Sequence, residues 1–215
     1  MRPDFEDLPF FDRPDLTPYL VHLTKNTKAE DDYSAFENLV SILQTGEVWG
    51  SSTKKGFIKG PHRAACFMDL PFAALKYVLN EENSDPNAPR YESFGVFVTK
   101  KHAYKAGCRP VLYLSNAEKD QLCIPTHELW RVVRFEADDQ GWISWLHERE
   151  WRCKGNYELP TNAGVLVRNS SYVDRLNERI RKESKKFKVH PRAIIPLTIL
   201  CQGLPQLPSR KKKRE

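Results

Sequence analysis

Two periodicities of apolar and polar positions follow one another near the start of the chain. Residues 19–24 form a short run of β-branched and aromatic side chains, which predicts a strand. Residues 34–46 instead repeat apolar side chains at i, i+3, i+4 and i+7, the spacing of one helix face. Ser34 and Glu37 have the spacing of a capping box, and Gly46 suits a left-handed C-terminal cap. The apolar positions of this predicted helix are Phe36, Leu39, Val40 and Leu43.

The rest of the chain mixes further strands and helices. The pattern predicts strands at 63–69, 93–99, 109–114, 164–167 and 193–200, and helices at 71–80 and 172–187. Residues 116–139 remain ambiguous because Pro125 interrupts a helix-like spacing. The elements intermix without a regular strand–helix–strand order, so we expect an α+β fold. We place a single domain at 19–203, after an extended arm at 1–18 and before a basic, disordered tail at 204–215.

Composition is that of an ordinary globular protein. The 215 residues are 40% hydrophobic and 29% charged, enough for one sizeable domain. No apolar run approaches the roughly 18 residues that a membrane span needs, and the N-terminus does not have the composition of a signal peptide. The five cysteines include no Cys-x-x-Cys pair, so we expect neither a metal site nor a disulfide framework. These features favour the cytoplasm.

The net charge of +6 is concentrated in two segments. Residues 210–214 are all basic, and the predicted helix at 172–187 is rich in arginine and lysine. Either segment could contact the phosphates of a nucleic acid. A solvated helix face followed by a frayed tail is the simpler explanation of the charge.

Two acids near position 150 are candidates for catalysis. In the sequence His-Glu-Arg-Glu-Trp-Arg, a strand would direct Glu148 and Glu150 to the same face. His22 and Thr24 are likewise two residues apart on the first predicted strand. A pair of aimed carboxylates can stabilise an oxocarbenium-like transition state. The alternatives are a charged strand end with surface salt bridges and a structural histidine.

These motifs resemble two related groups of proteins. His-x-Thr on a first strand, followed by a helix of the type Asn-Leu-x-x-Ile-Leu-x-x-Gly, is similar to the opening of the DarT-like ADP-ribosyltransferases. The run through Gly-Ser-Ser-Thr at 50–53, then 56–60 and 65–71, resembles the AbiGi-like abortive-infection proteins. Together the similar segments lie between residues 19 and 155. The resemblance implies an ADP-ribosyltransferase-like split β-sheet with flanking helices.

The resemblance also implies NAD as a substrate and assigns roles to the four polar residues. Glu150 would stabilise the cationic sugar, and Glu148 would orient the acceptor. His22 would contact the nicotinamide ribose, with Thr24 beside the carboxamide. We therefore expect His22 and Thr24 to face the two acids across a single cleft.

Further side chains are candidates for binding NAD. Ser51 and Ser52 form a loop that could meet phosphate or ribose, although ordinary loop serines explain them as well. Arg63 could hold the pyrophosphate, because arginine binds phosphate through two donors at once. Tyr91 could stack on nicotinamide.

The function expected from the resemblance is mono-ADP-ribosyl transfer by a toxin or phage-defence effector. The acceptor would be nucleic acid, either RNA or single-stranded DNA, and an antitoxin protein would restrain the enzyme. One alternative acceptor is a protein arginine. A second alternative is a non-enzymatic antitoxin or nucleic-acid-binding partner. A third is a metal-dependent nuclease built on Glu148, Glu150 and Asp69.

Overall fold

The computed structural model describes residues 13–27, 34–51, 53, 57–80, 83, 90–139, 141–201 and 204. The chain divides into two compact units. The first unit comprises Met1–His22, Gly46–Pro71 and Phe97–Thr161. The second unit comprises Leu23–Thr45, Phe72–Val96 and Asn162–Glu215.

Short strands and helices alternate irregularly along the chain. The strands are β1 (Tyr19–Leu23), β2 (Glu47–Val48), β3 (Ala64–Phe67), β4 (Gly95–Thr99), β5 (Arg109–Pro110), β6 (Leu112–Leu114), β7 (Val132–Arg134), β8 (Glu136–Asp138), β9 (Gly141–Ile143), β10 (Trp151–Lys154), β11 (Tyr157–Glu158), β12 (Gly164–Val167) and β13 (Ala193–Pro196). The helices are α1 (Ala35–Thr45), α2 (Lys100–Lys105), α3 (Asn116–Gln121), α4 (Ser170–Lys182) and α5 (Leu197–Leu200). Short 3-10 helices cover Phe72–Tyr77, Thr126–Arg131, Leu146–Glu148 and Ser184–Lys186. This mixture of helices and several small sheets confirms the α+β class.

Helix α1 forms as its sequence pattern predicts. All four positions of the predicted apolar face are buried. The Glu37 N–H donates to Ser34 Oγ at 3.2 Å, which satisfies one of the amides that a helix leaves unpaired in its first turn. Gly46 ends the helix with a φ of 72°, a conformation that favours glycine.

A four-stranded sheet has the strand order β1-β4-β12-β13, and β12 and β13 belong to the second unit. Only the ends of β1 and β4 belong to this unit, because the boundary falls within both strands. Strands β12 and β13 pair in parallel, with Val165 opposite Ile194. A parallel pair requires a crossover connection, and α4 lies in this one. Tyr172 of α4 packs its ring against the rings of Phe36 and Phe94. The ring centroids of Phe94 and Tyr172 are 4.7 Å apart.

The first unit is built on a three-stranded antiparallel sheet with the order β3-β10-β5. Trp151 in the central strand lies opposite Phe67 on one side and Pro110 on the other. Three two-stranded pairs complete the unit: β2 with β11, β6 with β7, and β8 with β9. The candidate acids lie just before β10, so this sheet determines their surroundings.

Several predicted element bounds are wrong. The segment after Pro71 forms a 3-10 helix instead of an α-helix. The strand predicted at 109–114 divides at Val111, because β5 pairs with β10 whereas β6 pairs with β7. The strand predicted at 193–200 ends at Pro196, which precedes α5. Pro196 is the N-cap residue of α5, and as a proline it has no N–H to offer a longer strand.

The predicted strand at Glu148 also begins later than expected. Glu148 is the last residue of a 3-10 helix, and Arg149 is left-handed, with φ 44° and ψ 52°. Strand β10 begins only at Trp151. Strand alternation therefore does not set the direction of Glu148.

Parts of the predicted arm and tail lie outside the described residues. These parts are residues 1–12 and 205–215. The candidate residue Ser52 also lies outside the described residues. The predicted domain boundaries stay predictions. Among the helices that the structure describes, none has both the length and the apolar character needed to cross a membrane.

Gly50 lies where a side chain would collide with the backbone. A Cβ atom there would lie 2.4 Å from the Gly155 carbonyl oxygen. We expect Gly50→Ala to lower the free energy of unfolding by roughly 1–3 kcal/mol, as overpacking does. Urea denaturation measures this. The control is Ser51→Ala at the exposed neighbouring residue, which should change stability by less than about 0.5 kcal/mol. Equal stabilities for the two variants would contradict the prediction.

Candidate functional site

Arg152 is buried, only 4% exposed, and uses all of its hydrogen-bond donors. Nε and Nη2 donate to the two carboxylate oxygens of Glu150 at 2.8 and 3.0 Å. Nη1 donates to the carbonyl oxygens of Trp130 and Val132 at 2.9 and 3.4 Å. Nη2 also donates to the Phe57 carbonyl oxygen at 3.3 Å. These contacts occupy the five N–H groups of the guanidinium.

The pairing keeps two charges inside the first unit. Burial acts to lower the pKa of Arg152, but Glu150 and Cys66 together outweigh it and the pKa lies above its ordinary value. Glu150 itself is only 8% exposed. A buried charge is tolerated when it is paired and hydrogen-bonded. The two-point contact with Arg152 therefore fixes the direction of the Glu150 carboxylate.

Glu148 and Glu150 approach the same tyrosine. The Glu150 N–H donates to Tyr113 Oη at 2.9 Å, and the Tyr113 hydroxyl donates to the Trp145 carbonyl oxygen at 3.4 Å. Burial, and to a smaller extent the charges of both glutamates, raise the pKa of Tyr113 to about 12. Glu148 is 7% exposed. The Tyr113 phenol thus contacts the main chain of Glu150 and lies near enough to both nearly buried carboxylates for their charges to affect its pKa.

Cys66 lies beside the same acids. Burial first, and then the charge of Glu150, raise the pKa of its thiol well above the ordinary value; Arg152 acts in the opposite direction and Glu148 adds a smaller increase. The thiol donates to the Ala64 carbonyl oxygen at 3.7 Å. A neutral thiol is a poor nucleophile. Cys66 is therefore a packing neighbour of the carboxylates.

Arg149 separates the two acids and is anchored by its side chain. Its Nε donates to the Asp69 carbonyl oxygen at 2.8 Å, and its Nη2 donates to the Asp15 carbonyl oxygen. A left-handed conformation costs a residue with a Cβ roughly 1–2 kcal/mol. These two contacts hold the turn that carries Glu148 and Glu150.

The structure does not bring His22 to the carboxylates. Val21 and Met68 exchange backbone hydrogen bonds in an antiparallel bridge, and the register of β3 and β10 places Glu150 next to Met68. His22 is then opposite Phe67, in the next cross-strand row of residues. Directly opposed residues share a face and successive residues alternate, so His22 and Glu150 lie on opposite faces. The rows are Val21, Met68 and Glu150 on one face, and His22, Phe67 and Trp151 on the other.

The surroundings of His22 agree with this register. Its ring packs against Phe67, with centroids 5.8 Å apart. Its Nδ1–H donates to the Cys66 carbonyl oxygen at 2.8 Å. Burial lowers the pKa of His22, and this hydrogen bond only partly opposes the decrease. His22 therefore links β1 to β3.

Two predicted contacts to NAD belong to the second unit. Thr24 is buried, and its hydroxyl donates to the carbonyl oxygens of Ala35 at 2.8 Å and Phe94 at 3.2 Å. Tyr91 is half-buried, and its N–H donates to the Asn83 carbonyl oxygen at 3.2 Å. The Thr24 hydroxyl is therefore engaged with the main chain.

Ser51 and Arg63 are exposed residues of the first unit. The Ser51 N–H donates to the Ala64 carbonyl oxygen at 2.8 Å, and the Arg63 carbonyl oxygen accepts from the Gly155 N–H at 2.7 Å. These backbone contacts place both residues next to the β3 end of the sheet. Their predicted roles toward NAD stay predictions.

The acids proposed for a metal-dependent nuclease are not assembled. Asp69 pairs with Lys100 Nζ at 2.8 Å and accepts from Trp151 Nε1 at 3.2 Å. It therefore lies on the face of Trp151, away from Glu150. Among the described residues, no group of three His, Cys, Asp or Glu side chains is arranged to hold a metal ion.

Sequence reasoning overlooked Arg152 and Tyr113. Arg152 carried a usable signal, because a residue two positions after Glu150 shares its face in a strand. Tyr113 carried none, since its contact with Glu150 depends on where β6 lies. Tyr113 and Glu150 are 37 positions apart in the chain, so no local sequence pattern links them.

Much of the charge on helix α4 is used in ion pairs. Arg175 and Arg179 lie 3.8 and 3.7 Å from the Glu37 carboxylate. Lys182 pairs with Glu178 at 2.6 Å, one helical turn away. These pairs are partly or largely exposed, so each contributes little stability. The arrangement fits the simpler interpretation of the helix, a solvated charged face.

Arg152→Met should strongly destabilise the protein. It leaves the Glu150 carboxylate buried without its partner, which typically costs about 3–5 kcal/mol. Chemical denaturation measures the loss. The control is Arg181→Met on α4, an exposed arginine whose replacement should cost less than about 0.5 kcal/mol. Similar losses in the two variants would argue against the buried pair.

His22 should make stability decline in acid. Its pKa is lowered in the folded state, so the unfolded chain binds the proton more readily. The contribution is therefore fully present above about pH 6.5 and decreases as pH falls below it, by at most about 1.4 kcal/mol per pH unit. His22→Asn keeps an N–H donor but cannot titrate, so its stability should decline less between about pH 6.5 and 5. Denaturation curves that shift equally with pH would refute this.

Comparison of the chain with models of protein families, with curated proteins and with solved structures finds no match. The resemblance described from the sequence therefore depends on the motifs themselves.

Proposed function

We propose that this chain is an NAD-dependent ADP-ribosyltransferase that uses Glu148 and Glu150 at the reacting sugar. The observation that carries the proposal is the pair of nearly buried carboxylates beside Tyr113. Cleavage of the bond between nicotinamide and ribose passes through an oxocarbenium-like cation, as glycoside hydrolysis does. A carboxylate already aimed at that cation stabilises it without reorganisation.

Arg152 holds the Glu150 carboxylate in the fixed orientation that this chemistry requires. It binds both oxygens of Glu150, and a carboxylate has about four acceptor positions in all. The remaining positions accept a ribose hydroxyl and face the developing charge. Glu148, held by the Arg149 turn, orients the acceptor. His22 has a structural role in this scheme, because it lies on the opposite face and links β1 to β3.

The fold and acceptor form part of the proposal. The small sheets represent an ADP-ribosyltransferase-like split β-sheet, and the motifs at 19–71 support this assignment. The acceptor is nucleic acid, RNA or single-stranded DNA, which the net charge of +6 supports. The protein would act in the cytoplasm as a toxin or phage-defence effector restrained by an antitoxin. A protein arginine is the alternative acceptor.

One observation favours a second function. The Arg152 charge offsets that of Glu150, and a neutralised carboxylate stabilises a cation less well than an unpaired one. A buried pair with every donor satisfied is also what a purely structural ion pair looks like. The second candidate is a non-enzymatic partner in an abortive-infection system, which binds a toxin or nucleic acid and leaves NAD intact.

Release of nicotinamide from NAD distinguishes the two functions. We expect the wild-type protein to release nicotinamide, and Glu148→Gln or Glu150→Gln to reduce the rate by about 10²–10³-fold. The matched control is Glu178→Gln, which removes an exposed carboxylate on α4 and should leave the rate unchanged. Absence of release from the folded wild-type protein would favour the non-enzymatic function. The same reaction with NAD labelled in its adenosine part, and separate pools of RNA, single-stranded DNA and protein, identifies the acceptor.

Loss of folding must be separated from loss of catalysis. Glu150→Leu combined with Arg152→Met removes both buried charges, a change that is often neutral or stabilising. This double variant should be more stable than Arg152→Met alone, yet still fail to release nicotinamide. Recovery of both stability and release would assign Glu150 a structural role only.

A further inference from the structure

Cys108 and Cys153 lie opposite one another in the first unit. Strands β5 and β10 are antiparallel, with Pro110 opposite Trp151 and Arg109 opposite Arg152. One further step along the same register pairs Cys108 with Cys153. The two cysteines are therefore cross-strand neighbours, although 45 positions separate them in sequence.

The hydrogen bonding of the ladder shows which kind of pair they form. The Val111 N–H donates to the Glu150 carbonyl oxygen at 3.0 Å, which marks a hydrogen-bonded pair. Bonded and non-bonded pairs alternate along an antiparallel ladder, so the next pair, at Pro110, is non-bonded. Pro110 suits that position because it has no N–H. Two steps further, Cys108 and Cys153 form a non-bonded pair again.

A non-bonded pair has the separation that a disulfide requires. Its Cα atoms lie about 4.5 Å apart in an antiparallel sheet. Disulfides join cysteines whose Cα atoms are roughly 4.4–6.8 Å apart. The ladder at Cys108 and Cys153 therefore needs little adjustment to accept a bond between the sulfurs. All five cysteines are unbridged in this structure.

The two thiols already interact. The pKa of each thiol is shifted chiefly by the other sulfur, and the Cys153 thiol also donates to the Ala106 carbonyl oxygen at 3.4 Å. The nearby Cys108 sulfur, with a smaller contribution from Arg109, lowers the pKa of Cys153 against the effect of burial, whereas Cys153 and burial raise the pKa of Cys108. Cys153 is thus the better nucleophile of the two, because the thiolate is the reactive form.

We propose that Cys108 and Cys153 are a reversible oxidation site, closed into a cross-strand disulfide by a small disulfide of the glutathione class. The proposal does not depend on the function proposed above. Both thiols are nearly inaccessible, with exposures of 0% and 4%. Strand β5 lies at the end of the strand order and has only two residues, so separating it from β10 exposes both sulfurs while β3 stays paired.

The reaction consists of two exchanges. The Cys153 thiol loses its proton to water, and its thiolate attacks one sulfur of the small disulfide, whose S–S bond breaks and releases the first small thiolate, which takes up a proton. The Cys108 thiol then loses its proton to water, and its thiolate attacks the Cys153 sulfur and displaces the second small thiolate, which also takes up a proton. In total, two protein thiols and one small disulfide give one protein disulfide and two small thiols.

The test uses the full chain, reduced and then incubated with oxidised glutathione. After alkylation of the remaining thiols and proteolysis, mass spectrometry should show a peptide pair linked through Cys108 and Cys153, lighter by two hydrogens and separated by dithiothreitol. The oxidised protein should also have a higher Tm than the reduced protein, because the bond closes a long loop in the unfolded chain. In Cys108→Ser, the resolving thiol is missing, so Cys153 should retain one glutathione.

Cys123→Ser is the matched control. Cys123 is the exposed cysteine of the chain, and its removal should leave the linked peptide unchanged. Glutathione on Cys123 of the wild-type protein without any link between Cys108 and Cys153 would overturn the proposal. A link that forms only in urea would overturn it as well, since it would then be a property of the unfolded chain.

Discussion

A guanidinium buried in a protein must find an acceptor for each of its five N–H groups, and Arg152 organises the first unit around this requirement. Its acceptors come from three separate places in the chain: the loop before β3, the junction of a 3-10 helix with β7, and the residue just before β10. None of these segments is long enough to be stable alone. The fold of this unit therefore depends on the buried Arg152 guanidinium as well as on apolar packing. Loss of any one acceptor would leave a buried N–H without a hydrogen-bond partner.

The same contact explains why the candidate site can be interpreted in two ways. Binding by Arg152 gives Glu150 the rigid orientation that transition-state stabilisation needs, and it also reduces the net negative charge at that point. A structural ion pair and a positioned catalytic carboxylate share this geometry. What distinguishes them is whether the carboxylate's remaining acceptor positions meet a substrate. Glu148 and Tyr113, which approach the same place, make the site more than an isolated pair.

Local features of this fold could be predicted from sequence, whereas contacts between distant segments could not. Helix α1 was predictable because its apolar spacing, Ser34 and Gly46 all act within a few residues. The break between β5 and β6 was not, since it arises only because each half pairs with a different strand. The expectation that His22 faces the two acids disagrees with the structure for a similar reason. Alternation tells which residues of one strand share a face, but the face that meets Glu150 depends on the register with β3 and β10, whose partners lie more than 40 residues from His22.

Pro110 has a consequence for the behaviour of the molecule in concentrated solution. In a non-bonded pair, the amide and carbonyl of a residue point away from the partner strand, here toward the open side of β5. Proline offers no donor there, and Arg131 Nη2 already donates to the Pro110 carbonyl oxygen at 3.2 Å. A strand from another copy would find no donor at this position, and the Arg131 side chain lies against the carbonyl oxygen it would have to reach. Proline on the shortest strand of the sheet thus disfavours pairing with another copy at this residue.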